Sequence, residues 1–283
     1  MADDDIPAKD VAALRKITGA GMMDCKAALK ANDGDMERAK DWLREKGIAG
    51  AAKRAGREAD QGSVEVLVEG SVGALVELNC ETDFVAKGDV FKQAVASLAK
   101  IVIEHGESDL GSRTIGSETV EDFVKGLSGT LGEKIEIGRV VRFEADNGLI
   151  DGYKHIQNER GVVAVLVELA GVDAGDAKAR EVAHDIALHI ASAAPRFVSR
   201  DDVPADEVER ERDILQKQTA EEGKPEQAWP KIVEGKLNGF FKTVALVEQS
   251  FVKDQKQTIG ALVQSLGEGA SVRRFARVKI GED

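Results

Sequence analysis

The chain has 283 residues, enough for about two domains, with 42% hydrophobic and 32% charged residues and 5 Pro; this excludes a disulfide-stapled miniprotein and a chain disordered throughout. Acids outnumber bases 51 to 39, a formal charge of −12 that repels phosphate backbones and anionic lipid and argues against broad nucleic-acid or membrane-surface binding. The start MADDDIPAKD is acidic where a signal peptide is basic, no apolar run nears the ~20 residues of a membrane span, and Cys25 and Cys80 lack CxxC spacing, so a soluble cytoplasmic protein is expected.

Residues 1–60 hold 12 basic and 12 acidic side chains, so the whole excess of acid lies beyond them. Within 1–50, Val11, Leu14 and Ile17, then Ala27, Ala28 and Leu29, then Ala39, Trp42 and Leu43 recur at helical spacing. Gly19-Ala20-Gly21 and Asn32-Asp33-Gly34-Asp35 break the runs, since Gly permits positive φ and Asp or Asn caps a following helix; the block reads as a three-helix docking module. Residues 51–61, small or charged and without apolar period, read as a linker or weak helix.

A first core half is expected over 62–150. Val64, Val66 and Val68 alternate, and 73–80 continues the strand pattern after a Gly-Ser-Val-Gly turn, which predicts a hairpin. Phe91, Val95, Leu98 and Val102, then Val120, Val124, Leu127 and Leu131, step as two helices that cover this sheet, and 139–145 returns to strand. The run at 73–102 is then echoed at 163–191, with ALVEL at 74 and VLVEL at 165, 91 residues apart. Each copy runs strand, acidic loop, amphipathic helix, which predicts two related α+β halves sharing a core, the second formed by 151–200 and 245–283. The first loop is about three residues longer, within 79–87, and a loop that exceeds the repeat is a candidate for function.

From 201 to 244 the chain is strongly polar, with helical stretches over 208–222 and 226–241 about Gly223-Lys224-Pro225. This predicts a protruding antiparallel helical hairpin, a coiled-coil insertion with one apolar seam through Leu215, Trp229, Ile232, Val233, Leu237, Phe240 and Phe241. A helix near 258–266 and a strand over 272–280 finish the second half.

Catalytic and cofactor patterns are missing from the sequence. There is no GxxxxGK[ST], no GxSxG and no HExxH, and His184 and His189, five apart on a helix, diverge by about 140°. No enzyme chemistry, cofactor or metal is expected, and Cys25 and Cys80 read as small buried hydrophobes. The acidic hairpin reads as a solvated face or a recognition surface. His155, after Gly152-Tyr153-Lys154 in a turn-like segment, is either a recognition residue or a plain surface histidine. Phe84 beside Asp83 is either a wedge for a partner's pocket or an aromatic that packs back on its own sheet.

Two runs carry a resemblance: LRKITGAGMMDCKAAL at 14–29 and ELNCETDFVAK at 77–87 are similar to the two signatures of the bacterial elongation factor Ts family, with the likeness extending from about residue 6 to 280. It implies an α+β fold with a ubiquitin-associated-like three-helix module, a duplicated core of antiparallel sheets and a protruding helical hairpin. It also implies guanine-nucleotide exchange on the translational GTPase elongation factor Tu, which needs no chemistry of the factor's own. Thr82, Asp83, Phe84 and Val85 map onto the family's exchange loop, whose aromatic enters a helix interface near the partner's magnesium site while the acid helps displace magnesium-linked contacts. Met22, Met23 and Lys26 would contact the partner's nucleotide domain, Leu131 and Gly132 would join the core contact, and His155 would meet the GTPase near its phosphate loop. The alternative is an adaptor or chaperone-like binder of the same GTPase with little exchange activity. Homodimerisation varies in the family, so a 2:2 complex stays open, and a terminal helix that some members add after the last strand is expected to be missing here, where the sequence ends Ile280-Gly281-Glu282-Asp283.

Overall fold

The structure, a computed structural model, describes residues 6–223 and 225–282, without the side chains of 48–53. The acidic residues 3–5, Lys224 at the expected hairpin turn and Asp283 lie outside the described residues. The chain opens with α1 (Ala8–Thr18), α2 (Met22–Ala31) and α3 (Met36–Arg54). Gly19, at φ 73°, ends α1 by donating its N–H to Arg15 O, and Asp35 caps α3 by accepting from the N–H groups of Glu37 and Arg38. Val11, Leu14, Cys25, Ala28, Leu29, Ala39 and Leu43 form the module's core. Ile17 leaves the apolar face it was read on and is exposed. Each step of three residues falls about 60° short of a turn, so two steps carry Ile17 about 120° round from Val11. The helix α3 runs to Arg54, into the segment read as a linker or weak helix.

The strands β1 (Gln61–Glu69) and β2 (Val72–Cys80) form a hairpin over Gly70 and Ser71; Gly70 has φ 61° at the first central position, as a type II′ turn requires. There follow α4 (Asp83–Ala86), α5 (Asp89–His105), a minimal pair β3 (Thr114–Ile115) and β4 (Glu118–Thr119), α6 (Val120–Leu131) and β5 (Ile135–Glu144). β5 pairs with β2, giving an antiparallel sheet in the order β1-β2-β5. The second half brings β6 (Gly148–Gln157), β7 (Arg160–Ala170), α7 (Ala177–Ala193), the hairpin helices α8 (Ala205–Glu221) and α9 (Trp229–Val244), a small pair β8 (Ser250–Phe251) and β9 (Asp254–Thr258), α10 (Ile259–Gln264) and β10 (Ser271–Lys279). Its sheet has the order β10-β7-β6, again antiparallel. The fold is α+β, as expected. The echo is visible in the helix starts: α5 begins 15 residues after position 74 (89 − 74) and α7 begins 12 after position 165 (177 − 165).

The two sheets pack face to face. Between them lie Val64, Leu75, Phe143, Ile150, Ala164, Leu166 and Val278. On the outer face of the first sheet, Phe91, Val95, Leu98 and Val102 of α5 meet Ala74, Val76 and Leu78. On the outer face of the second, Val182, Ile186 and Ile190 of α7 meet Val163, Val165, Val167 and Leu169. Successive residues of β2 and β7 thus serve opposite cores, which is why both central strands are almost continuously apolar. Gly73 lets the sheets approach: a Cβ there would lie 2.7 Å from Ile150 Cγ2. The helix α6 does more than cover the sheet. Val120, Val124 and Leu127 join the core under α5, while another side lies against α3, where a Cβ on Gly129 would stand 1.9 Å from the Gly47 Cα. The hairpin helices close on their own small core of Leu215, Val233, Leu237 and Phe241, with Trp229 and Ile232 half-buried. Among the described residues no helix is long and apolar enough to cross a membrane.

Candidate functional site

Two residues after β2 ends, the segment expected to be a loop turns into α4, a single turn of helix. Thr82 is its cap, its hydroxyl accepting the Val85 N–H at 3.4 Å. Ala86 is buried and Val85 half-buried on the core of the first half, but Phe84 is 81% exposed. Phe84 therefore does not pack back on its own sheet. Asp83 pairs with Lys87 at 2.5 Å, and the Lys87 ammonium stands 5.4 Å from the centre of the Phe84 ring. That hydrogen bond, with the attraction of the same ammonium, holds the Asp83 carboxyl below its ordinary value.

The approach to α4 is tied across 51 residues of sequence to the segment that follows α6. The Glu133 carboxylate accepts the Glu81 N–H at 3.0 Å, the Thr82 N–H at 2.9 Å and the Thr82 hydroxyl at 2.5 Å. In return the Glu81 carboxylate accepts the Lys134 N–H at 2.6 Å and the Arg57 guanidinium at 3.1 Å. The Lys134 N–H foremost, and Arg57 beside it, lower the Glu81 carboxyl below its ordinary range. Cys80 is buried and its Sγ donates to Thr82 O at 3.2 Å. Burial, with the nearby Glu133 charge, pushes this thiol up to about 12, which makes it a structural donor and not a nucleophile.

Leu131 closes α6 with its side chain half-buried on the core of the first half, and Gly132, at φ 78°, turns the chain out of the helix. Because Glu133 is the next residue, the fold brings Leu131 and Gly132 to the base of α4. Met22, Met23 and Lys26 are exposed on α2, with Ile17 exposed across the glycine turn. That turn rests on the core: a Cβ on Gly19 would stand 3.3 Å from Val90 Cγ2 and 3.5 Å from Thr130 Cγ2, one side chain in the first turn of α5 and the other beside Leu131. The turn of the first signature therefore rests on Val90, three residues beyond the second signature, and on Thr130, three residues before Glu133.

His155 corrects an expectation, since it lies not in a turn-like segment but in β6, paired opposite Val163 of β7. Gly152 disguised the strand; it is needed because a Cβ there would stand 2.7 Å from Val66 Cγ2 of the facing sheet. His155 is exposed, with Nδ1 3.2 Å from Tyr153 Oη and exposed Ile156 beside it, and among the described residues no hydrogen bond joins it to the α4 region. The reading of the sequence missed Ile17, which its angular drift along α1 could have revealed. It also missed Glu133, for which a carboxylate after a helix-ending Gly gives no signal, its partners being distant in sequence. Among the described residues no group of three or more His, Cys, Asp or Glu side chains could hold a metal.

A three-helix module, a doubled sheet core with an inserted helical hairpin and a capped Thr-Asp-Phe turn together define an α+β protein that presents an exposed aromatic on a braced turn of helix. The family profile described as "Elongation factor TS" matches residues 81–282. Among similar proteins, the Elongation factor Ts of Micrococcus luteus is 46% identical over 282 residues, covering 97% of this chain and 98% of the relative, and that of Thermobifida fusca is 46% identical with the same coverage. The Elongation factor Ts of Prosthecochloris aestuarii is 40% identical over 289 residues, covering 98% and 99%. The chain belongs to the elongation factor Ts family.

Proposed function

We propose that the chain promotes release of GDP from elongation factor Tu in the cytoplasm, by placing Asp83 and Phe84 near the GTPase's magnesium and phosphate site so that GTP can rebind. The observation that carries this reading is Phe84, a large aromatic 81% exposed on a capped, braced turn of helix. An exposed Phe is kept at a cost in solvation, and fixing it before contact lowers the entropy lost on docking. Displacing magnesium-linked contacts removes charge neutralisation from the β-phosphate, so a small intrusion there speeds release. By linkage, the factor weakens GDP by the same ratio by which GDP weakens the factor. Such a factor makes and breaks no covalent bond. Thr82 and Val85 seat the turn, Met22, Met23 and Lys26 dock on the nucleotide domain with Ile17 beside them, Leu131 and Gly132 extend the contact from the core, and His155 adds a separate one from the second sheet.

The test is stopped-flow release of a fluorescent GDP from elongation factor Tu with rising amounts of this chain. Saturable acceleration that Phe84→Ala and Asp83→Ala weaken more than they weaken binding supports exchange. Binding without acceleration would replace it with the adaptor reading.

A further inference from the structure

We propose that Glu133 is the positioning residue of the exchange turn: by taking three hydrogen bonds from Glu81 and Thr82 it holds α4 in the one orientation that presents Phe84, an inference that rests on the exchange reading above. The turn cannot hold itself. It has four residues, far fewer than an isolated helix needs, and Phe84 contributes no packing because it is exposed. Ala86 and half-buried Val85 seat one side of it on the core, and the rest of its orientation is set at its two ends. The C-terminal end continues through Lys87 and Gly88 into α5. The N-terminal end has the cap hydroxyl of Thr82, and that hydroxyl is itself oriented by donating to Glu133 Oε1 at 2.5 Å. The other oxygen, Oε2, takes the two backbone N–H groups that lead into the cap, at 3.0 and 2.9 Å. One carboxylate thus sets the rotor of the cap and the direction of the backbone before it.

Glu133 is itself fixed. The positive φ of Gly132 turns the chain back from α6, and the buried Ser128 donates its hydroxyl to Glu133 O at 2.5 Å. The bond from the Lys134 N–H to the Glu81 carboxylate closes the pair of segments from the other side. Residues 129–133 also seat the N-terminal module, through the Gly47–Gly129 crossing and through Thr130 under the Gly19 turn. The same stretch therefore receives the docking module and braces the exchange turn, so a GTPase docked on α2 meets Phe84 at a set distance and angle.

The carboxylate's work is divisible. In Glu133→Gln the amide oxygen can still take the two backbone N–H groups, and its NH2 can donate to the Thr82 hydroxyl, which remains free to accept the Val85 N–H. Glu133→Ala keeps none of the three bonds. If the ordered turn falls to about a tenth of the population, exchange at limiting factor concentration falls about tenfold, because only the presented fraction is competent.

The experiment uses the full chain with elongation factor Tu and fluorescent GDP, alongside amide hydrogen exchange of the free chain. Expected are faster exchange of the Glu81 and Thr82 amides in Glu133→Ala with α5 amides unchanged, GDP release lowered about tenfold in that variant, and release within about threefold of wild type in Glu133→Gln. In the Phe84→Ala background, Glu133→Ala should add little, since its effect runs through Phe84; a general loss of stability would instead multiply with it. Should Glu133→Ala prove poorly folded, Thr82→Val removes the donor and the cap alone, and a clear loss of release is expected from it. Normal release in Glu133→Ala or in well-folded Thr82→Val beside a defective Phe84→Ala, or independent effects in the double variant, would overturn the role of Glu133 while leaving exchange in place. Normal release in Phe84→Ala would remove the exchange reading and this proposal together.

Discussion

His189, on α7, uses both ring nitrogens although it is buried: Nε2 lies 2.8 Å from Gln249 Oε1, and Nδ1 accepts the Val252 N–H at 3.3 Å. This pairing requires a neutral ring with its proton on Nε2, and burial lowers the pKa from the ordinary 6.5. A lowered folded value means that the unfolded chain takes up a proton first. The ring's contribution to stability is therefore complete above pH 6.5 and is lost as pH falls from there through the lowered folded value. Denaturant midpoints should fall between pH 7 and pH 5. His189→Phe should flatten that dependence while lowering stability at pH 7 by about 1–3 kcal/mol, since partners at Gln249 and Val252 are left unmet. A slope that persists unchanged in the variant would place the titration elsewhere. Cys80 illustrates the opposite use of a titratable group, a thiol kept protonated. In Cys80→Ser a hydroxyl replaces the donor to Thr82 O, so GDP release should stay near wild type; a catalytic thiol would make this variant inactive.

The glycine crossing of α3 on α6 is the element on which the module's placement depends. Gly129 leaves no room for a side chain, since the Cβ of an alanine there would overlap the Gly47 backbone, while a Cβ at Gly47 would stand a tight 3.1 Å from the Gly129 Cα. The helices must then separate, and overpacking of this kind typically costs about 1–3 kcal/mol. Arg44 pairs with Glu118 at 3.1 Å and would be strained by the same shift. Gly129→Ala should raise hydrogen exchange in α3 and α1 and expose residues 55–60 to protease, while β2 and β7 keep their protection. Equal protection of α3 in variant and wild type would show that the crossing carries no docking. The sequence announced α1, α2 and the start of α3 because their apolar spacing and caps are local properties. It was silent on the crossing, because a glycine in a helix looks like a weak position until its partner from a distant segment is known. His155 was misplaced for a related reason: Gly152 signals a turn locally, and only the facing sheet shows why a strand needs it.

At the scale of the molecule, the ALVEL and VLVEL echo disclosed two alike halves but not how they join, since alternation identifies two faces of a strand without naming what each meets. The structure joins them through Leu75 and Phe143 from one sheet and Ile150, Ala164 and Leu166 from the other, so neither half owns a complete core. The hairpin differs, because Leu215, Val233, Leu237 and Phe241 close largely on each other. It follows that the halves unfold together and the hairpin unfolds no later. Leu166→Ala, at a fully buried site, should cost about 2–5 kcal/mol and lower the protection of β2 and β7 amides by the same factor. Leu237→Ala, equally buried, should leave those amides near wild type and act on the hairpin alone. The two tryptophans make the hairpin visible: Trp42 is in the module and Trp229 begins α9, so in a Trp42→Phe chain the fluorescence reports the hairpin. Its denaturant midpoint should drop in Leu237→Ala while β2 and β7 hold, and β2 should never part from β7 in Leu166→Ala. If β7 lost protection while β2 retained it, the cluster between the sheets would not be the bond that makes two halves one core.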